Sequence, residues 1–379
     1  MDIVKSARRY ERWLRHQLDG DLVKEDLAAK HDKMAADAFQ FLRATYWRWA
    51  ETIYDACPDL KHGPHVLSVG DIHVENFGTW RDAEGRLVWG VNDFDEAARM
   101  PYALDIVRLA ASAELAKVPG ITKEDICSAI LDGYRAGLVS PRPFVLDRAH
   151  RWLRDIVVVS TDARKEFWKK FDPQRIAEKK PKKVTPVPAD EMPRRFRKAI
   201  DRAQPDDDVR LLYFTRVAGT GSLGRPRFFG VGPWRGDLIV REAKAMVRSG
   251  WALAHHGSHN ARCAEIANGR HRSPDPTYCL RGHVLVRRLS PNDFKIEVKP
   301  KAGEEEKYNA LPPKQLVNAR MLGAMGHDLA AIHRGTRDAD DIAADLTARA
   351  DGWLEEAVSA AAAAVTAEWR EWRRHHKGK

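Results

Sequence analysis

The chain has 379 residues, 64 Lys+Arg against 54 Asp+Glu and a formal net charge of +10, with 44% hydrophobic and 31% charged residues. That composition excludes a fibrous or intrinsically disordered chain, and the length allows two or three domains, or one two-lobed domain, with a sizeable core. No stretch is long and apolar enough for a bilayer span, no signal-peptide apolar region follows MDIVKSARRYERW, and the four cysteines form no CxxC pair; a cytoplasmic protein without membrane contact, disulfide scaffold or zinc site is expected.

The first 60 residues read as helical: in HDKMAADAFQFLRATYWRWAETIYDA the apolar Met34, Phe39, Phe41, Leu42, Tyr46 and Trp49 recur at helical spacing. HVLSV is a short β-type run that leads into GDIHVENFG, which lacks periodicity and reads as a loop. RLVWGV is a second strand, ending in NDFDEA. Two helices follow, PYALDIVRLAASAEL opened by Pro101 and TKEDICSAILDGYRAGL opened by the N-cap Thr122. Residues 164–202 hold 14 Lys+Arg, 6 Asp+Glu and five prolines, which reads as a solvated linker or a surface excursion with some helix at its ends. Three strand-like runs come next, VRLLYFTRVAG, RPRFFGVG and DLIVREA, then a helical stretch from about Met246 to Asn268 and strands near HVLVRRL and FKIEV. The chain closes on KQLVNARMLGAMGHDLAAIHRG and an Ala-rich helix. The pattern is α+β, with units expected at 1–163 (helical, with two acidic loops), 164–204 (basic, Pro-bearing linker or excursion), 205–300 (β-rich, with a glycine-rich loop) and 301–379 (closing helices).

Chemistry concentrates in Gly70-Asp71-Ile72-His73-Val74-Glu75-Asn76 and Asn92-Asp93-Phe94-Asp95-Glu96. Two acids and an amide at strand ends suit magnesium, which takes oxygen ligands and usually only one or two carboxylates beside substrate phosphates. Turn-forming Asp and Asn explain a lone instance as well. The set is more specific. In kinases an Asp accepts the substrate proton, an Asn five residues on holds metal, and a further Asp beyond the next strand holds metal too; Asp71, Asn76 and Asp93 repeat that spacing. A second segment, Arg216-Val217-Ala218-Gly219-Thr220-Gly221-Ser222-Leu223-Gly224, is a GxGxxG run between two strands. A dinucleotide-binding reading needs a helix after the last glycine, and RPRFFGVG is strand-like; strand–glycine loop–strand is the arrangement in which backbone amides cover phosphates. A tight hairpin is the plain alternative. On the following strand, Arg241 or Lys244 is the candidate to neutralise phosphate, and alternation puts them on opposite faces.

The GDxHxxN and NDFD pair resembles the aminoglycoside-phosphotransferase-type branch of the protein-kinase-like superfamily, with Asp105 similar to that group's acid after the metal-binding Asp, and LGAMGHDLAAIH similar to its LGxxLAxLH helix. KMAADAFQFLRA, GDIHVENFG, NDFDEA, RVAGTGSLG and VREAK together resemble the bacterial family numbered domain of unknown function 2252, over most of the chain. The resemblance implies a two-lobed kinase-like fold whose blocks regain their usual order on cyclic rotation, hence a circular permutation. It implies Asp71 as catalytic base or substrate-orienting acid with His73 beside it, Asn76 and Asp93 on magnesium, His73 and Asp105 as braces, and Gly219, Gly221, Ser222 and Gly224 with Arg241 or Lys244 on the nucleotide. ATP and magnesium are the implied cofactors, with an unknown phosphoryl acceptor.

Three positions depart from the pattern. Val69 stands where the phosphotransferases usually have His, Arg241 where the related family more often has Lys, and the helix glutamate that pairs with that Lys is reduced to the candidate Glu265. A nucleotidyl transferase on the same fold, or a non-catalytic nucleotide- or nucleic-acid-binding pseudokinase, are the alternatives. The cluster His255, His256 and His259 lacks zinc-protease spacing and reads as a helix face. Residues 164–202 carry 14 minus 6, or +8, of the net charge, which makes that segment, apart from the nucleotide site, the expected contact for an anionic partner.

Overall fold

The computed structural model describes every residue except 180–183, 258–259, 294–296, 299–309, 338 and 378–379. Four helices open the chain, Ile3–Gln17, Lys24–Ala36, Ala38–Ala44 and Tyr46–Ala56. Asp2 caps the first by accepting the Lys5 N–H at 2.8 Å, and Asp37 caps the third through the Gln40 N–H at 2.8 Å. The first and fourth pack through Tyr10 and Trp47, whose rings stack at 4.0 Å and 9°.

Strand β1 (His65–Ser68) pairs antiparallel with β4 (Ala98–Pro101), while β2 (Phe77–Arg81), β3 (Leu87–Val91) and β5 (Phe144–Val145) form a separate antiparallel sheet. Both acidic segments are the irregular connections at the ends of these short strands. The expected GDIHVENFG loop therefore ends sooner than its sequence implied, because Phe77 and Gly78 already belong to β2. Helix Tyr102–Leu115 follows directly and is buried on nearly every face. Helix Lys123–Val139 begins at a capping box between Thr122 and Asp125. It crosses helix Ala319–His333 at backbone contact: a Cβ on Gly133 would meet the Gly323 carbonyl at 1.9 Å, and one on Gly326 the Ile130 carbonyl at 2.2 Å. The closing helix Trp353–Lys377 lies against Tyr102–Leu115 and Lys24–Ala36.

The larger sheet has six strands, β6 (Pro186–Val187), β7 (Leu212–Thr215), β8 (Arg227–Trp234), β9 (Asp237–Ala245), β10 (Cys279–Arg281) and β11 (Val284–Leu289), in the order β10-β11-β9-β8-β7-β6 with antiparallel neighbours. Arg235 and Gly236, both at positive φ, make the tight β8–β9 turn. The glycine-rich segment is the β7–β8 connection, with a strand on each side.

Residues 164–202 are not a solvated linker. Helix Thr161–Phe171 buries Phe167 and Phe171, which join Ile176, Phe214, Phe229, Val231 and Val240 in a second apolar core on the sheet. Helix Arg194–Asp201 buries Phe196 and Ile200, and β6 extends the sheet edge. The segment is strongly amphipathic, so its many charges cover a face that is anchored underneath. Lys180, Pro181, Lys182 and Lys183 lie outside the described residues. The helical stretch expected from Met246 to Asn268 is two short helices, Gly250–His255 and Cys263–Ala267, and Phe294, Lys295 and Ile296 of FKIEV lie outside the described residues. Small antiparallel sheets with surrounding helices make the architecture α+β. No described helix is long and apolar enough to cross a membrane.

Candidate functional site

Gly70 starts the first acidic loop at φ +79°, and any Cβ there would meet the Glu96 carbonyl at 2.4 Å and the Tyr46 hydroxyl at 2.8 Å, so only glycine fits. The loop is hung from Asp105, whose carboxylate accepts the Val69 N–H at 2.7 Å and the Gly70 N–H at 3.0 Å. Behind it the fully buried His333 contacts Asp105 through Nε2 at 3.1 Å and the Tyr134 hydroxyl through Nδ1 at 2.7 Å. The close helix crossing thus ends in a buried polar chain that fixes the loop. The second loop is anchored differently: Asp328 accepts the Val91 N–H at 2.8 Å and pairs with Arg272, which donates to the Val91 carbonyl at 2.7 Å.

Asn76 ties the two loops together. Its Nδ2 donates to the carbonyls of Asp71 (3.1 Å) and Asp93 (3.0 Å), and its Oδ1 accepts the Asp93 N–H at 3.1 Å. His73 is buried, its Nδ1 accepting the Glu75 N–H at 3.1 Å and its ring edge-on to Phe39. Asp71 is held by Arg108, which donates to Oδ1 and to the Leu42 carbonyl. Oδ2 accepts no hydrogen bond from any described residue. Burial pushes the Asp71 carboxyl above its usual range against the pull of Arg108.

The two faces of β9 separate the two cations. Lys244 pairs with Asp95 and stands 3.7 Å from Asp93. Arg241 faces the other way and donates to the Ala203 carbonyl at 2.7 Å and its neighbour's carbonyl at 3.1 Å, so it does not reach the acidic loops. Glu265 pairs with Arg262 on the surface and does not approach Lys244. On the same face as Lys244, Glu242 is surrounded by Arg216, Arg227 and Arg287, which hold its carboxyl well below the usual range although burial opposes them.

The glycine loop closes the site. Gly219 and Gly224 have φ of +79° and +93°. A Cβ on Gly221 would stand 3.2 Å from Asp71 Oδ2, so the loop tip lies directly on the carboxylate. Ser222 Oγ accepts from Arg227 at 2.9 Å, whereas the amides of Gly219 to Ser222 donate to no described residue. Together these groups line a cleft with about 470 Å³ of empty space, its open mouth included: Arg43, Asp71, His73, Asn76, Asp93, Asp95, Glu96, Gly219, Thr220, Gly221, Ser222 and Arg225.

Several of its groups have no motif in the sequence. Arg225 bridges Asp95 (3.4 Å) and Glu96 (2.8 Å), Arg43 pairs with Glu75, and Arg108 lies beneath the floor with its guanidinium 5.1 Å from the Tyr46 and Trp49 rings. Lys30, buried, donates to the Gly221 carbonyl at 2.8 Å. Only Arg43 and Arg108 carry a sequence signal, as basic residues within largely apolar helices; Lys30 lies in a polar helix and Arg225 in the β7–β8 connection, and neither stands out in the sequence. Among the described residues no group of three or more His, Cys, Asp or Glu forms a metal-binding cluster. His255 reaches the Ala50 carbonyl at 2.9 Å, and His259 lies outside the described residues.

A family model described as an uncharacterized protein conserved in bacteria (DUF2252) matches residues 22–212, which hold both acidic loops and stop short of the glycine loop. No curated protein and no solved structure matches the chain.

Proposed function

The chain belongs to this bacterial DUF2252 family, whose description names no reaction, and we propose that it is an ATP- and magnesium-dependent phosphotransferase with a circularly permuted, two-lobed kinase-like arrangement, acting on an acceptor still to be identified. The observation that carries this reading is the seating of Gly221 on Asp71, which joins two sequence motifs lying far apart in the chain. Strand–glycine loop–strand geometry, with amides over a carboxylate that donate to no described residue, suits a phosphate chain held above an attacking hydroxyl.

Asp71 is the base in this reading: Arg108 holds Oδ1, leaving Oδ2 to accept the acceptor's proton. The donor set fits magnesium without a preformed cluster, because Asp93 and the second lone pair of Asn76 Oδ1 are hard oxygens and phosphates would complete the shell. Bound there, the metal would neutralise phosphate charge. Lys244, opposite Asp93 and Asp95, offers a point charge for the phosphates, while Asp105 and His333 keep the loop in place.

Purified protein should bind ATP weakly without magnesium, and Asp93→Ala should remove the metal dependence. Nucleotide binding that is metal-independent and unchanged in Asp93→Ala overturns the metal assignment. Label from the γ-phosphate of ATP should appear in product; label from the α-phosphate would show nucleotidyl transfer instead.

A further inference from the structure

Lys30 belongs to neither motif, yet it holds the centre of the glycine loop. It projects from helix Lys24–Ala36 into the interior, and its residue surface is 2% exposed. Nζ lies 5.1 Å from the ring centroids of both Tyr10 and Trp47, and its hydrogen bond to the Gly221 carbonyl is 2.8 Å. Burying an amine is costly unless it is paired, and here the loop carbonyl supplies the partner while the two rings add cation–π attraction. Neighbouring contacts hold the same loop: Lys33 donates to Thr220 Oγ1 at 3.2 Å, and the Val23 N–H donates to the Gly224 carbonyl at 3.0 Å.

A trans peptide points its C=O and N–H in opposite directions. Drawing the Gly221 carbonyl towards Lys30 therefore turns the Ser222 N–H away from Lys30. The amides from Gly219 to Ser222 are left without a described partner, as an anion-binding nest requires. We propose that Lys30 is a positioning residue that sets the orientation of the Gly221–Ser222 peptide, so that the loop amides receive the phosphate oxygens of a nucleoside triphosphate. The phosphate part of this inference rests on the phosphotransferase reading; the hold on the loop does not.

Lys30→Met keeps a chain of similar length between Tyr10 and Trp47 and removes the donor, and Lys30→Arg keeps a donor. Amide hydrogen exchange of the unliganded proteins reads the hold directly, because the Val23 N–H is bonded to Gly224 and the Arg225 N–H to Ser222 at 3.1 Å. Lys30→Met should speed exchange at both amides and leave the crossing of Lys123–Val139 with Ala319–His333 unchanged. Titrated with Mg-ATP and with adenosine, Lys30→Met should lose about tenfold in affinity for the triphosphate and nothing for the nucleoside, a difference of one lost hydrogen bond. Lys30→Arg should recover most of that loss. Unchanged exchange at Val23 and Arg225 overturns the inference whatever the protein binds. Equal losses for Mg-ATP and adenosine overturn the positioning role. Faster exchange in a protein that binds no nucleotide would sink the phosphotransferase reading and leave the hold of Lys30 on the loop standing.

Discussion

Gly221 is packed against Asp71 so closely that a methyl group on it would stand 3.2 Å from the carboxylate Oδ2, and 3.4 Å from the Arg43 carbonyl. Such contacts are tight but can be met by shifts of a few tenths of an ångström. Alanine at this position should therefore be tolerated, whereas the branched side chain of Gly221→Val must lift the loop from the carboxylate. Isothermal titration should show Mg-ATP affinity down by about tenfold or more in Gly221→Val and by less in Gly221→Ala, with the unliganded melting temperature nearly unchanged in both. Equal affinities in all three proteins would mean that the loop tip does not cover the ligand.

Lys244 and Arg241 sit three apart on β9, so the pleat sends them to opposite faces. Lys244→Met leaves Asp93 and Asp95 facing each other without the ammonium between them, and burial and the Asp93 charge already raise the Asp95 carboxyl above its usual range. Removing the cation should raise it further and weaken Mg-ATP binding by about a hundredfold, as expected for a charge-assisted contact. Arg241→Met removes bonds to the Ala203 and Val240 carbonyls only, and should leave that affinity within about twofold. A nucleotide titration of the two variants side by side checks this.

What was legible in the sequence was local. Asp71, Asn76, Asp93 and the three glycines lie in short segments where spacing alone carries meaning, and β8 and β9 announced themselves by apolar runs bounded by Gly and Pro. What was illegible depended on tertiary placement. Lys30, Arg43, Arg108 and Arg225 look like ordinary solvated charges until the chain folds and buries each of them against an acid or a carbonyl. Phe77–Arg81 escaped because both faces of β2 are buried, which erases the alternation that marks a strand. The basic stretch at 164–202 hid its aromatic anchors, Phe167, Phe171 and Phe196, among a surplus of lysine and arginine.

Asp105→Asn tests the scaffold apart from the chemistry. Two backbone N–H groups and His333 converge on one carboxylate with no exposed surface. An asparagine offers one oxygen, so its NH2 would confront a donor, and one buried N–H would lose its acceptor. The expected loss is about 3 kcal/mol of unfolding free energy, read from urea denaturation by circular dichroism. A loss under about 1 kcal/mol would show that the loop is held by its packing and not by Asp105.

Gly133→Ala strikes the helix crossing that carries His333 to Asp105. The added Cβ would overlap the Gly323 carbonyl at 1.9 Å, a backbone atom that cannot rotate aside, so the two helices must separate. Stability should fall by about 3 kcal/mol or more, and the thermal midpoint by several degrees. Because the helices would part along the polar chain, exchange at the Val69 and Gly70 amides should quicken as well. A stable variant with those amides still protected would disconnect the crossing from the loop.

The pH dependence of stability gives a separate reading of Lys30. Burial, with help from the Arg225 charge, brings its ammonium down from 10.5 to about 7, against the opposing pull of Glu96, Asp71 and Glu11. Below pH 7 the amine is protonated in both folded and unfolded chains, and the cost of burying the charge is fully present. Between about 7 and 10.5 the unfolded chain binds the proton and the folded one does not, so stability climbs with pH across that window. Lys30→Met cannot titrate there. Urea midpoints of the two proteins should therefore converge or cross as pH rises from 6.5 to 9.5, the wild type gaining on the variant by an amount on the order of a few kcal/mol. A difference that stays constant over this range would mean that the amine keeps its ordinary pKa and is hydrated, and so is not sealed between Tyr10, Trp47 and the glycine loop.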